Sequence, residues 1–187
     1  LSHTFFMNNT EEFYKFYKDK MNSLKYQPNI THKKLAEWEN AGKLNAVVTQ
    51  NIDGLHQKAG SKKVYELHGS VLRNYCMKCH KFYDAEFVFN SKDVPTCECG
   101  GIIKPDVVLY EEPLNEETMM KAIIAISQAD MLIVGGTSLT VQPASSLINY
   151  YQGKKLVLIN KDTTSYDNIA NLVINDGLGK VLNHCKL

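Results

Sequence analysis

Thr49-Gln50-Asn51-Ile52-Asp53-Gly54-Leu55-His56 follows directly on the apolar run Ala46-Val47-Val48, and Glu66-Leu67-His68-Gly69-Ser70 comes shortly after it. The apolar run reads as a short buried strand, so the polar string emerges at the strand's carboxyl end, where open α/β sheets bind ligands. An amide, a carboxylate and two histidines delivered to one crevice supply donors, an acid and a base. The residues alone leave a second reading open, in which Asn-Ile-Asp-Gly is a strand-to-helix turn with Asp53 as its cap.

Outward from this string the chain alternates helical and strand patterns. From Asn9 the spacing predicts a helix, with Asn9 or Thr10 as cap, Glu11 and Glu12 in the first turn, and Phe13, Phe16, Tyr17, Met21 and Leu24 as its packed stripe. Thr31 caps a second helix with Leu35, Ala36 and Trp38 on one face, stopped by Gly42; His32 reads as a polar residue of its first turn. A short helix starts at Gly54, in which His56 has a supporting role, and Val64 to Leu67 is a short strand that delivers His68. Further on, Asn115 to Ala129 is a crossover helix and Met131-Leu132-Ile133-Val134 a central parallel strand. It ends in the small-residue loop Gly135 to Ser138, which can approach a phosphate or ribose closely, before a helix near Pro143. Lys155 to Ile159 and Leu172 to Ile174 are the last strands, and a final helix runs to Leu187 with Cys185 as an apolar filler.

Cys76-Met77-Lys78-Cys79 and Cys97-Glu98-Cys99 stand 17 residues apart. Two close cysteine pairs at ribbon-like separation can close a tetrahedral thiolate cage, which leaves no position for water and makes the metal structural. Phe82, Tyr83, Phe87, Val88 and Phe89 are expected to form the small core of this module.

The fold class these patterns define is α/β, a doubly wound parallel, Rossmann-like sheet with a small zinc-ribbon and helical domain. The expected boundaries are 45–70 and 103–187 for the nucleotide-binding domain, 1–44 for the helical part of the small domain and 71–102 for the zinc ribbon. Composition agrees with a globular protein: 187 residues, 44% hydrophobic, 22% charged, formal charge +1. Acidic and basic residues are interspersed, so neither a nucleic-acid stripe nor a membrane-surface patch is expected. No apolar run approaches the roughly 20 residues of a membrane span. Four of five cysteines in two close pairs fit a metal site in a reducing compartment better than a disulfide framework, so the protein is expected to be cytoplasmic.

The strings 49–56 and 66–70 together resemble those of the sirtuin family, the NAD-dependent protein-lysine deacylases. The likeness runs on through the four cysteines, Lys104 to Tyr110, Gly136-Thr137-Ser138-Leu139 and Leu158-Ile159-Asn160. It implies NAD as a consumed co-substrate, one structural Zn2+, and an acetyl-lysine protein or peptide as partner. His68 is then the catalytic base on a ribose hydroxyl, with Asn51 and Asp53 around the leaving nicotinamide. Gln50, Asn51, Ile52, Asp53, Gly136, Thr137, Ser138, Asn160, Gly177 and Leu178 bind the cofactor; Cys76, Cys79, Cys97 and Cys99 bind the metal; Val108, Leu109 and Tyr110 hold the substrate. The products are deacetylated lysine, nicotinamide and O-acetyl-ADP-ribose.

Three departures from the family pattern carry expectations of their own. Sirtuins open on a strand and a GAGxSxxSGIPDFR phosphate loop, which nothing here matches. The first strand and that loop are expected to be missing, and the 187 residues alone to bind NAD weakly and deacetylate little. Glu111 stands where the family commonly has glycine, so it is expected to crowd the peptide or to favour lysine-rich substrates. Tyr17 with Lys20 is the nearest match to the Tyr-x-x-Arg pair of succinyl-preferring members and lacks the planar fork, which leans towards acetyl. The alternatives are a sirtuin-like ADP-ribosyltransferase or a non-catalytic NAD- and zinc-binding module. A hydride-transferring dehydrogenase fits less well, for want of GxGxxG.

Overall fold

The computed structural model describes residues 1–186, so the expected end of the last helix at Leu187 lies outside the described residues. Its helices are α1 (His3–Asn8), α2 (Thr10–Lys20), α3 (Ile30–Asn40), α4 (Leu55–Lys58), α5 (Ala85–Asn90), α6 (Glu116–Ser127) and α7 (Leu178–His184), with a 3-10 helix at Ala144–Tyr150. Its strands are β1 (Val47–Thr49), β2 (Val64–Glu66), β3 (Gly69–Cys76), β4 (Phe82–Tyr83), β5 (Ile103–Val107), β6 (Leu132–Gly135), β7 (Leu156–Ile159) and β8 (Leu172–Ile174).

Two compact units result. One holds Leu1–Gln27, Thr49–Leu55 and Glu66–Asn115; the other holds Pro28–Val48, His56–Tyr65 and Glu116–Leu187. These differ from the expected boundaries in two ways. The helix α3, expected with the small domain, belongs to the second unit, because Gly179 lets α7 lie against it: a Cβ there would stand 2.8 Å from Ile30 Cγ2. Residues 49–55, 66–70 and 103–115, expected with the nucleotide domain, belong to the first, because β3 spans Gly69–Cys76 and pairs with β5 on both sides of a register shift between Ser70 and Asn74.

In the first unit β3 is flanked antiparallel by β4 and β5. Gly69 opposes Val107 at φ +75, and a Cβ on it would sit 1.9 Å from the Asp106 carbonyl oxygen, so this close crossing admits only glycine. The unit's core is aromatic. Tyr17 stacks between Phe13 and Phe89, 5.5 Å from each ring, and Phe6 and Tyr14 pack edge-on around Phe13. The expected stripe holds at Phe13 and Tyr17, with Met21 partly buried against the core, but Tyr14 is buried as well, whereas Phe16 and Leu24 are exposed. In the module, Tyr83 and Val88 are buried but Phe82 and Phe87 face outward.

Tyr14 and Tyr17 differ in one respect that stability measurements detect. The Tyr14 hydroxyl donates to the Ile103 carbonyl, whereas the Tyr17 hydroxyl is buried without a partner among the described residues. Replacing Tyr14 by Phe therefore costs about 0.5–1.5 kcal/mol, and Tyr17→Phe stabilises, since an unpaired buried hydroxyl costs about 1–3 kcal/mol. Burial raises the pKa of both phenols, that of Tyr14 also through Tyr17. A raised folded-state pKa means that the unfolded chain loses its protons first, near pH ~10. Stability is thus constant below that pH with respect to these groups and falls above it, and denaturant midpoints of the two Phe variants at alkaline pH show a shallower fall. A Tyr17→Phe protein less stable than the unaltered one would contradict this account.

In the second unit β6, β7 and β8 form a parallel sheet in that order, with Leu158 and Ile159 of the central β7 fully buried. Met131 to Val134 was expected to be central; within the described sheet β6 is instead an edge, and Ile133 is 36% exposed. The helix expected near Pro143 is 3-10 rather than α. Asn29, not Thr31, caps α3: its side chain accepts the His32 N–H at 3.3 Å while His32 Nδ1 accepts the Asn29 N–H at 3.2 Å, a reciprocal capping box. That role buries His32, and its ring meets the buried ring of His56 edge-on at 4.6 Å.

Candidate active site and metal centre

The first unit carries the string 49–55. Thr49 Oγ1 accepts the Asn51 N–H at 3.0 Å, Asp53 Oδ1 accepts the Leu55 N–H at 2.9 Å, and the Ile52 carbonyl accepts the Val71 N–H at 3.0 Å. Asp53 thus closes the turn that leads into α4, one position before its N-cap, and one of its oxygens is occupied. Gly54, at φ +70, would clash with Leu72 Cδ1 at 2.4 Å if it bore a Cβ. The turn is fixed from both sides, which leaves the Asn51 side chain exposed beside it.

His68 leaves the end of β2 half-buried, with Nδ1 3.1 Å from the Gln50 carbonyl. A carbonyl only accepts, so Nδ1 is the protonated nitrogen and Nε2 carries the free lone pair. The sequence places the histidine; this contact decides which of its nitrogens keeps a free lone pair. The His68 carbonyl in turn accepts the Val108 N–H at 3.0 Å.

Val108 to Tyr110 is tied down on its donor side. The Leu109 N–H goes to Glu112 Oε2 at 2.9 Å and the Tyr110 N–H to the Leu1 carbonyl at 3.1 Å, while the Leu109 and Tyr110 carbonyls accept from Glu112 and His3. Glu112 also meets Lys104 at 3.0 Å and His3 at 2.8 Å, and its carboxyl is held below the usual range: burial opposes this, and the Leu109 amide, His3 and Lys104 outweigh it. Glu111 does not project as expected. It adopts φ +79, a strained value for a side-chain-bearing residue, and its carboxylate turns back to accept the Thr4 N–H at 2.8 Å. Tyr17 and Lys20 do not form a pair either, since Tyr17 is buried and Lys20 reaches Asp19 at 2.8 Å.

In the second unit the parallel order brings three loops to one edge of the sheet, because β6, β7 and β8 all end there. Gly136, Thr137 and Ser138 follow β6, Asn160 follows β7, and Gly177 and Leu178 follow β8. Gly136 is at φ +66, and a Cβ on Gly135 would stand 2.7 Å from Leu178 Cδ1. Asn160 Oδ1 accepts the Thr137 N–H at 3.0 Å, and its Nδ2 is buried without a partner among the described residues. A small-residue turn beside a buried donor still to be satisfied fits one polar half of a nucleotide.

The four cysteines of the first unit converge. Their sulfurs lie within 4.8 Å of one another, with contacts of 3.4 Å (Cys79 and Cys99), 3.5 Å (Cys76 and Cys99) and 3.6 Å (Cys79 and Cys97). Thiolates about 2.3 Å from a tetrahedral zinc stand about 3.8 Å apart, so the set fits that ion, and all four thiols are free. The thiols pull against one another. Cys97 is lowered, first by the Tyr83 hydroxyl beside it; for Cys99 the Gly101 amide pulls downward most strongly, but the Cys79, Cys97 and Cys76 sulfurs together raise it. Four such groups ionise together only around a cation.

A parallel nucleotide-type sheet, a histidine held at Nδ1 by a backbone carbonyl and a four-thiolate module define a class of nucleotide-dependent enzymes with a structural zinc ribbon. The Sir2 family model matches residues 1–143, and the chain belongs to that family. It is 62% identical over 184 residues to the NAD-dependent protein deacetylase of Clostridium perfringens, covering 97% of this chain and 75% of that protein. The enzyme of the same description from Cutibacterium acnes is 48% identical over 182 residues, with 97% and 75% covered. Among solved structures, a Sir2–p53 peptide–NAD+ complex superposes with a TM-score of 0.91 at 41% identity, covering 97% of this chain and 79% of that one. Sir2 bound to acetylated peptide gives a TM-score of 0.90 at 41% identity, with the same coverage. Among the described residues no helix is long and apolar enough to cross a membrane.

Proposed function

We propose that the protein is an NAD-dependent protein-lysine deacetylase. It transfers the acetyl group of a substrate lysine to the ADP-ribose part of NAD and releases nicotinamide. The observation that carries the reading is the His68 contact: with Nδ1–H held by the Gln50 carbonyl, Nε2 is left as the general base, and the same residue's carbonyl anchors Val108. Bound NAD supplies a ribose carbon activated by its nicotinamide leaving group.

The chain's own residues do the rest. His68 Nε2 takes the proton of a ribose hydroxyl; Asn51 and Asp53 meet the nicotinamide end; Gln50 and Ile52 complete that turn. Gly136, Thr137, Ser138, Asn160, Gly177 and Leu178 hold the adenosine half, Asn160 Nδ2 being the donor that awaits an acceptor. For the peptide, the N–H groups of Val108, Leu109 and Tyr110 and the carbonyls of Leu109 and Tyr110 are already engaged, so an acyl-lysine amide donates to the Val108 carbonyl. Cys76, Cys79, Cys97 and Cys99 hold one structural zinc. Four thiols gathered to hold a metal suit a reducing compartment, which supports a cytoplasmic location.

The test is nicotinamide release from NAD with and without an acetyl-lysine peptide. Release that requires the peptide supports the reading. Release at the same rate without peptide would sink it in favour of NAD hydrolysis or ADP-ribosyl transfer.

A further inference from the structure

We infer that Arg73 is a positioning residue for the reaction, one guanidinium that fixes both the base and the peptide-holding segment; the inference rests on the reading of His68 and Val108 given above. Arg73 is the only arginine of the chain, and neither its sequence context nor the family strings single it out. It stands on β3 where the pairing with β5 slips, between the Ser70–Asp106 and Asn74–Pro105 partners. From that irregular stretch its Nε donates to Asp106 Oδ2 and its Nη1 to Glu66 Oε2, each at 2.8 Å.

The two acceptors are what give this fork a function. Glu66 is two residues before His68, and Asp106 is two residues before Val108, while the His68 carbonyl and the Val108 N–H are themselves bonded at 3.0 Å. Arg73 therefore closes a loop around that bond, through one residue on each of the two segments that make it. The Glu66 side chain is only 7% exposed, so its carboxylate depends on the guanidinium for compensation, whereas Asp106 is 44% exposed. A planar fork can serve two carboxylates on different strands at once, and a lysine ammonium on its flexible stem does not hold both in the same geometry. The loops proposed for the adenosine half lie on the second unit's sheet and receive none of these bonds.

The test compares Arg73→Met, Arg73→Lys, Glu66→Gln and Asp106→Asn in the protein. Steady-state kinetics are measured with NAD and an acetyl-lysine peptide, at a temperature where circular dichroism shows every variant folded. Both Arg73 variants lower kcat about 10- to 100-fold, the scale of a small misplacement of a catalytic group. They also raise the peptide KM, leave the NAD KM within about twofold, and lysine does not rescue. The single-arm variants separate the two effects: Glu66→Gln acts mainly on kcat and Asp106→Asn mainly on the peptide KM. A lowered melting temperature with kcat and peptide KM unchanged, or full rescue by lysine, would show a merely structural salt bridge. If Arg73→Met does not fold, Asp106→Asn still decides, because its arm is half in solvent, and an unchanged peptide KM there overturns the inference. Peptide-independent turnover by the unaltered protein is a separate result: it would overturn the deacetylase reading and this inference with it.

Discussion

His68→Ala lowers the deacetylation rate by about 10²- to 10⁴-fold, the usual loss for a positioned general base. NAD affinity, measured by calorimetry, stays within a few-fold of the unaltered protein. The split follows from where the imidazole is held. Its Nδ1–H is spent on the Gln50 carbonyl and its backbone carbonyl on Val108, so removing the ring takes away Nε2 and one contact to the 50–53 turn. That turn is independently fixed by Thr49, Ser23, Ser70 and the Val71 N–H, and keeps its shape without the ring. Equal losses in NAD affinity and turnover would mean that His68 supports the fold instead. His68→Asn, which keeps a donor for Gln50 but offers no base of comparable strength, is expected to be as inactive as the alanine variant.

Removing the metal has the largest expected effect on stability. Structural zinc contributes about 10–16 kcal/mol to small zinc-binding peptides at neutral pH, as much as the whole stability of a typical domain, about 5–15 kcal/mol. Here the ligands are part of the core itself. Cys76 is 0% and Cys97 6% exposed, and both belong to the cluster that includes Phe6, Phe13, Tyr14, Tyr17, Val71 and Ile103. Chelation therefore unfolds the first unit, and the near-ultraviolet circular dichroism of its packed tyrosines, Tyr14 and Tyr17 among them, is lost. The one tryptophan, Trp38, lies in the second unit, so its fluorescence is expected to change less and later. Elemental analysis finds one zinc per chain; protein purified without chelator and lacking stoichiometric metal would contradict this account.

The strings of the candidate site stand out in the sequence more than the packing of the elements does. Short strings such as 49–56 and 66–70 put their chemistry directly after strands, and the Cys76–Cys79 and Cys97–Cys99 spacings announce a cage by local geometry alone. The parallel strands β7 and β8 were visible as apolar runs for the same local reason. What escaped depends on distant partners. The strand β3 was not foreseen beyond Gly69, since its bulge breaks the period-two alternation, and α1 is too short for periodicity to show. Whether α3 joins one unit or the other turns on Gly179, more than 130 residues away in sequence, against which Ile30 packs. The carboxylates of Glu111 and Glu112 illustrate the same limit: their partners Thr4 and His3 are separated from them by 107 and 109 positions. Nothing in the sequence told which nitrogen of His68 keeps a free lone pair, because that is decided by one carbonyl oxygen, that of Gln50.

The central claim is acetyl transfer to ADP-ribose, and following the acetyl group itself tests it most directly. A peptide carrying an isotopically labelled acetyl-lysine is incubated with the protein and NAD, and the products are read by mass spectrometry. The account predicts the label on O-acetyl-ADP-ribose, in amounts equal to the nicotinamide released and the lysine exposed. Label recovered only as free acetate, or left on a peptide that has gained ADP-ribose, would contradict it.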